Sequence, residues 1–453
     1  MRKLTTLLLV CGLSVTVGAM AAQRNTRQQA ATRPNIILIM ADDQGYETVA
    51  ANGGTSYKTP NIDRLAANGM RFENAYAHPL CTPSRVALMT GQYNFRNYTS
   101  FGELRLREKT FGNMLRDAGY KTAIVGKWQL SEGDFQAPFH FGFEEYLLWH
   151  FGTRVDGVPK PGAQGSRYRD PVFYHNGKLL PDTKGQFGPD VMADFVEDYI
   201  QKHQAEPFFL YYPLVLPHDP WIEPPGYSTT GEFPSEFTIA GTRGAKPGTK
   251  ESDERQRRFA AMIEYADKLV GRVTAQLDAL KLSERTLVVF TGDNGTYPAL
   301  RSTIRGREMN GDKGRPTDAG THVPLIAQWK GSIPAGKVNH DLIDFTDFLP
   351  TLADITRAQV PAGVTIDGHS FAAQLRGHKG KPREWIFCHY DPRWANFQFT
   401  RYAQDTQYKL YHDGAFYDYR QDPLEKSPLA QTSLTPAQEQ VRQKLQRVLD
   451  TLK

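Results

Sequence analysis

Cysteine is scarce: the chain holds three in 453 residues, Cys11, Cys81 and Cys388, too few for a disulfide framework. A dominant charge of one sign is missing too. Against 54 basic side chains stand 49 acidic ones, a formal net charge of +5, far from a nucleic-acid-binding balance. No apolar run is long enough to span a membrane, and there is no internal repeat or low-complexity segment. The one notable apolar run, Leu7 to Val17, follows Arg2 and Lys3 and precedes Ala19-Met20-Ala21. That pattern predicts a secretory signal peptide over residues 1–21, with a polar, flexible leader over 22–33. Val10 is too large for a lipoprotein cleavage site before Cys11, so the expectation is export, periplasmic or secreted, without a lipid anchor. Cleavage removes Cys11 and two basic residues. It takes the net charge from +5 to about +3 and leaves Cys81 and Cys388 as the mature cysteines.

What is present is an α/β pattern. Hydrophobic content of 40% is ordinary for a globular protein, and the length exceeds one compact domain. Residues 34–40 form a continuous apolar run ending in Asp42-Asp43, as expected of a central strand covered on both faces. Strands are also predicted at 120–125, 207–212 and 286–290, the last ending in Gly292-Asp293-Asn294-Gly295, with 323–327 as the final strand of the main sheet. Helices are predicted at 59–70, from just after Cys81, at 109–119, at 190–203 and through Phe259 to Leu280. Residues 131–189, rich in Gly, Pro and aromatics, read as an insertion over the site, and 224–250 as a loop. A break near 377–382 separates a catalytic portion, 34–376, from a C-terminal portion, 377–453, read as a small antiparallel sheet plus one helix.

The chemistry concentrates in a few segments. His78-Pro79-Leu80-Cys81-Thr82-Pro83-Ser84-Arg85 places a cysteine where a helix begins, and a helix start points N–H groups at an anion. Asp42, Asp43, Asp293 and Asn294 form two pairs of oxygen ligands suited to a hard divalent cation; either pair alone reads as a turn. Gly126-Lys127-Trp128, Pro217-His218-Asp219-Pro220 and Gly311-Asp312-Lys313-Gly314 add two lysines and a histidine.

Cys-x-Pro-Ser-Arg resembles the signature of type I sulfatases, in which the cysteine is oxidised to formylglycine. The other segments resemble that family's motifs in the same order, through Asp347-Phe348-Leu349-Pro350 and Asp367-Gly368-His369-Ser370 to Tyr417-Asp418-Tyr419-Arg420. The resemblance covers essentially the whole mature chain. It implies an alkaline-phosphatase-like fold with a largely parallel sheet, and hydrolysis of a sulfate ester of a carbohydrate. It also implies that Cys81 is converted to formylglycine by a maturation enzyme. Calcium, with magnesium as the alternative, would be bound by Asp42, Asp43, Asp293, Asn294 and the modified Cys81. By the same resemblance Arg85 steadies the formylglycine hydrate, Lys127, His218 and Lys313 surround the sulfate, and His218 donates a proton to the leaving alcohol.

Two departures from the family pattern stand out. Gln129 replaces the histidine that follows Gly-Lys-Trp, and an amide cannot act as a base at neutral pH. Asp318-Ala319-Gly320-Thr321-His322 replaces the usual Glu-Gly-Gly-x-Arg. The alternatives are a phosphonate or phosphate monoester hydrolase of the same superfamily, or an inactive glycan-binding relative. Trp149, His150, Arg154, Arg167, Arg169, Trp221, Arg301, Arg305 and Trp394 are candidates for a pocket rim. Of these, Trp149, Arg154, Trp221, Arg301 and Arg305 are taken, with Lys127, His218 and Lys313, as substrate-binding. Arginine and tryptophan suit anionic sugars through bidentate contacts and stacking.

Overall fold

The computed structural model describes residues 33–131, 133–149, 154–155, 158–159, 166–227, 246 and 248–452. The expected signal peptide, nearly all of the leader, and His150 lie outside the described residues. So does the side chain of Arg154, whose backbone is in a short strand.

A ten-stranded sheet forms the centre. In chain order its strands are β1 (Asn35–Ala41), β2 (Met70–Tyr76), β3 (Lys121–Lys127), β4 (Glu145–Trp149), β5 (Tyr174–His175) and β6 (Lys178–Leu179). They continue with β7 (Phe208–Pro213), β8 (Thr286–Gly292), β9 (Leu325–Gln328) and β10 (Lys337–Asp344). Across the sheet the order is β10-β2-β9-β8-β1-β7-β3-β4-β5-β6. The five strands β8-β1-β7-β3-β4 are parallel. Every residue of β1, β7 and β8 is buried, as their unbroken apolar runs require. Alternate residues of β1 feed two cores. Ile36, Leu38 and Met40 pack with the helix Cys81–Thr90, and Ile37 and Ile39 pack with the long helix Lys250–Ala279.

The flanks differ from the sequence expectation. β9 runs antiparallel to both β8 and β2, so the sheet is mixed outside its parallel centre. β9 is also not the last main-sheet strand, because β10 follows and pairs parallel to β2. The segment 131–189, expected as an insertion, supplies β4, β5 and β6: Glu-Tyr-Leu-Leu-Trp is apolar enough to pair with β3 once that partner is in place.

The C-terminal portion is a four-stranded antiparallel sheet, Ile386–Tyr390, Thr400–Gln404, Tyr408–Tyr411 and Phe416–Asp418. The helix Pro436–Thr451 covers it through Leu445, Val448 and Leu449. Thr435 and Gln438 form a capping box at its start, with proline in the first turn. Arg383 fastens this portion to the main body. Its guanidinium lies 2.8 Å from both Asp347 oxygens through Nε, and also reaches Tyr93 and Thr346. A buried pair of this kind costs about 3–5 kcal/mol to break from one side.

The sheet register positions the site. Ala41 of β1 pairs with Gly292 of β8. The next residues, Asp42 and Asp293, therefore leave the sheet side by side, although 251 positions separate them in the chain. Lys127 ends β3, two strands away.

Candidate active site

The carboxyl edge of the parallel strands gathers the acidic pairs and the cations. Asp42 and Asp293 are fully buried. The Asp43 N–H donates to Asp293 Oδ1 at 3.0 Å, and Asn294 Nδ2 donates to Asp43 Oδ1 at 2.9 Å. Lys127 Nζ lies 2.9 and 2.8 Å from the two Asp42 oxygens. Lys313 Nζ donates to Asp43 Oδ2 at 2.6 Å. Arg85 Nη2 reaches Asp293 Oδ2 at 2.9 Å, and Arg85 Nη1 donates to the Lys127 carbonyl at 3.2 Å.

Local sequence explains each placement. Leu80 is extended and gives the helix Cys81–Thr90 no side-chain cap. Instead, Ser84 Oγ accepts from the His78 N–H and donates to the Leu80 carbonyl, at 3.0 and 2.9 Å. Pro83 fits the first turn, where its missing N–H costs nothing. The helix begins at Cys81 itself, one residue earlier than the sequence suggests, and all ten of its residues are buried. Gly126 has φ of 130°, and a Cβ there would lie 1.9 Å from the Pro213 carbonyl oxygen. Only glycine lets β3 pass β7 so closely just before Lys127. Asp43 and Gln129 are non-glycine residues in the left-handed region, at φ 69° and 62°. Such conformations cost on the order of 1 kcal/mol or more and gather at functional sites.

Charge is closely matched. Burial acts to raise the Asp42 pKa, but Lys127, His218, Arg85 and Lys313 together hold it well below the usual carboxylate value. Asp293 goes the other way: burial, then the neighbouring charge of Asp42, pushes it up to about 7 against Arg85 and Lys127. Burial raises the Cys81 thiol, while Lys127 and Lys313 oppose that rise. Lys313 is half-buried; desolvation acts to lower its pKa, yet the Asp43, Cys81 and Asp42 charges raise it. These mutual effects place Cys81 within the field of both lysines and both buried aspartates.

His218 stands at the edge of the cluster. Its Nδ1 is 3.0 Å from Asp219 Oδ1 and 2.7 Å from the Asp219 carbonyl, and its Nε2 is 3.7 Å from Asp43 Oδ2. Tyr168 donates to the His218 carbonyl. Ligand atoms of Asp42, Asp43 and His218 all lie within 4.8 Å of one another. Asn294 Oδ1 is buried with no hydrogen-bond partner among the described residues. An oxygen-rich cluster with one orphaned amide carbonyl suits a hard divalent cation.

The rim candidates scatter. Trp149 ends β4 beside Lys127, with the Arg167 guanidinium 4.2 Å from its ring. Arg167 in turn donates to the Asp219 carbonyl, behind His218. Trp221 is 1% exposed and packs edge-on against Tyr297 at 5.2 Å. Arg301 and Arg305 belong to a hairpin, Arg301–Ile304 with Arg307–Asn310. Arg301 faces Glu308 at 3.6 Å, and Arg305 pairs with Glu73 at 2.6 Å. Among the described residues neither makes an ion pair with the aspartate cluster.

Sequence reasoning gave no role to Asp219 or Gln44. Asp219 could have been suspected from its place beside His218. Gln44 carries no such signal, yet it is fully buried with neither amide atom hydrogen-bonded among the described residues. Gln129 is 6% exposed, and its Oε1 is likewise unpaired.

Fold and site together define an α/β architecture of the alkaline-phosphatase-like kind, with its polar cluster at the carboxyl ends of the parallel strands. The chain belongs to the sulfatase family: the Sulfatase family model matches residues 34–358. The model for the C-terminal region of N-sulphoglucosamine sulphohydrolase matches residues 312–453. Arylsulfatase A of Homo sapiens is 34% identical over 393 residues, 78% of this chain and 70% of that protein. The N-acetylgalactosamine-6-sulfatase of Canis lupus familiaris is 32% identical over 371 residues. That match covers 76% of this chain and 66% of the dog protein, so the chain spans just under two thirds of that relative. A solved structure of BT4656 in complex with its substrate D-glucosamine-2-N,6-O-disulfate superposes with a TM-score of 0.74 at 22% identity. It covers 92% of this chain and 98% of that one.

Proposed function

We propose that this chain hydrolyses a sulfate ester of a carbohydrate, releasing inorganic sulfate, with Cys81 oxidised to formylglycine by a maturation enzyme. The observation that carries the reading is the meeting of Cys81, two lysines, an arginine and paired carboxylates at one buried sheet edge. A hydrated aldehyde at position 81 supplies an oxygen nucleophile and, after transfer, a hydroxyl whose collapse expels sulfate. A calcium ion, with magnesium as the alternative, would be held by Asp42, Asp43, Asp293, Asn294 and the modified Cys81, and would supply positive charge to the anionic ester.

The protein's own groups do the rest. Three carboxylates now face three permanent cations, so a bound dication leaves the cluster net positive, the sign an anionic ester needs. Lys127 and Lys313, relieved of Asp42 and Asp43, bind the sulfate oxygens. Arg85, anchored on Asp293 and the Lys127 carbonyl, orients residue 81. Asp219 holds His218 Nδ1, leaving Nε2 to carry a proton to the departing alcohol. Trp149, Trp221, Arg154, Arg301 and Arg305 complete the proposed substrate-binding set. The chain divides into a catalytic portion, 34–376, and a C-terminal portion, 377–453, and is exported on its N-terminal signal. No helix among the described residues is long and apolar enough to cross a membrane.

Two lysines and a histidine would also suit a phosphoryl group, so the test compares 4-nitrophenyl sulfate with 4-nitrophenyl phosphate. Faster sulfate hydrolysis is expected, and a large preference for phosphate overturns the reading in favour of a phosphoryl hydrolase. Sugar binding without sulfate release, in protein shown by mass to carry formylglycine, identifies an inactive relative.

Metal removal gives a signed prediction. The metal-free Asp293 carboxyl sits near 7, against an unfolded value of about 3.9. Between these values the folded state holds a proton that the unfolded state lacks, so metal-free stability falls as pH rises through the window. A cation replaces that proton. The melting temperature lost on chelation is therefore expected to grow from pH 5 to pH 7 and then level. At a hundredfold excess over its dissociation constant the cation contributes about 2.7 kcal/mol. A loss independent of pH contradicts the proposed ligands.

Gln129 offers a hydrogen-bond acceptor into the site, not a base. Gln129→Ala is expected to lower kcat roughly 10-fold to 100-fold, and Gln129→His to be neutral or harmful. A pre-steady-state burst of alcohol in the parent protein, with its slow phase rescued by histidine, would show instead that glutamine is a defect.

A further inference from the structure

One surface feature is left unexplained by folding or by sulfate chemistry. Trp394 is 47% exposed, and a large apolar ring held in water needs a reason. Its indole stacks on Phe101, with centroids 4.4 Å apart and planes 15° from parallel, and lies 6.0 Å from Phe397 at 24°. The loop carrying it is held in an unfavourable shape. Arg393 and Ala395, on either side, both adopt left-handed backbone, at φ 48° and 50°. Hydrogen bonds hold that shape: Arg393 donates to Asp391 at 2.8 Å and to the Thr99 carbonyl at 3.0 Å, and Tyr98 donates to the Pro392 carbonyl at 2.9 Å.

Both supports of the indole lead back to the catalytic cluster. Phe101 precedes Gly102, whose N–H donates to Thr82 Oγ1 at 3.2 Å, and Thr82 follows Cys81. Phe397 lies against Gly314, where an added Cβ would meet its ring at 2.5 Å, and Gly314 follows Lys313. With about 3.8 Å between successive residues, the platform therefore sits within a few residues' reach of both residue 81 and the sulfate-binding lysine.

We propose that Trp394, backed by Phe101 and Phe397, is a stacking platform for the pyranose ring next to the sulfated one. The inference rests on the sulfatase reading and narrows its substrate to an oligosaccharide. An indole face matches the C–H face of a pyranose in size and polarity, while a sulfate belongs to the lysines. With its sulfate on Lys127 and Lys313, the sulfated ring leaves its neighbour to cover the indole. The platform selects by chain length, because a sulfated monosaccharide has no second ring to place there.

The test measures free sulfate from chondroitin 6-sulfate and heparan sulfate tetrasaccharides, beside N-acetylgalactosamine 6-sulfate and glucosamine 6-sulfate. The tetrasaccharide of the preferred series is expected to exceed its monosaccharide on the order of tenfold in kcat/KM, through KM. Trp394→Ala should erase that advantage, Trp394→Phe keep most of it, and Phe101→Leu, which removes the ring beneath, fall between. Melting curves establish that each variant is folded. If folded Trp394→Ala keeps the full chain-length advantage, the platform is refuted and the sulfatase reading stands. Hydrolysis of 4-nitrophenyl sulfate with none of the saccharides overturns the carbohydrate reading and the platform with it. No sulfate from any of these esters overturns the sulfatase reading itself.

Discussion

Cys81→Ser, produced in a host whose maturation enzyme converts only cysteine, is expected to lose at least on the order of 10⁴ in kcat. Serine keeps the size and the helix start, and it can still hydrogen-bond. It cannot supply a geminal diol. A seryl sulfate has no adjacent hydroxyl to expel the group, so even a successful first transfer would leave a blocked protein. The fold should survive, because the helix Cys81–Thr90 is secured by Ser84 and Arg85, not by the thiol. Intact mass spectrometry of the active parent protein should show the thiol replaced by an aldehyde or its hydrate. Full activity with an unmodified thiol would sink the mechanism. The surroundings argue against such an outcome: burial raises the Cys81 pKa, the opposite of what a thiolate nucleophile needs.

Lys127→Met carries the second large effect. It keeps the length and most of the volume of the side chain while removing one positive charge from the site. Losing one preorganised electrostatic contact typically costs 10²–10³ in rate, roughly 2.7–4 kcal/mol, and that loss is expected in kcat/KM on 4-nitrophenyl sulfate. Lys127→Arg should not restore it, since a planar fork does not fit a slot shaped for an ammonium 1% exposed to water. Stability must be read separately. Without a cation, Lys127 is the nearest partner of the buried Asp42, and its removal strands a carboxylate. Rates should therefore be measured at saturating calcium. A loss below tenfold under those conditions would mean that Lys127 serves only as a counter-ion to Asp42.

Some of this site could be read from the chain alone. Asp42-Asp43 and Asp293-Asn294 each end an apolar run, and runs buried on both faces belong to the parallel centre of a sheet. Their meeting follows from strand adjacency. The Cys81 and Arg85 spacing places both on one helix, one turn apart, and the structure keeps them there. Gln129 was visible as a departure, but its left-handed backbone and unpaired Oε1 were not.

Other features carried no local signal. β2, Met70–Tyr76, alternates buried and half-buried residues under a mixed sequence with Arg71 and Glu73 inside it. β10 begins exposed at Lys337 and Val338 and becomes buried only beyond Asp341. Such flanking strands are specified by their neighbours more than by their own residues. Arg301 and Arg305 follow Asp293 closely in sequence, and their hairpin is held through Gly54 and Tyr57, contacts that no local pattern announces.

The sequence by itself determined the residue types at the site, the burial of the central strands and the order of the motifs. These depend on short-range pattern: apolar runs, turn residues, and a helix start at a defined spacing. Tertiary structure decided the sheet's antiparallel flanks, the pairing of Lys127 with Asp42 and Lys313 with Asp43, the Asp219–His218 contact geometry, and the stacking of Trp394 on Phe101. Phe101 and Trp394 are separated by 293 positions, and no local propensity couples residues so far apart. They meet because hydrophobic burial packs the C-terminal sheet against the main body, and that packing is a property of the whole chain.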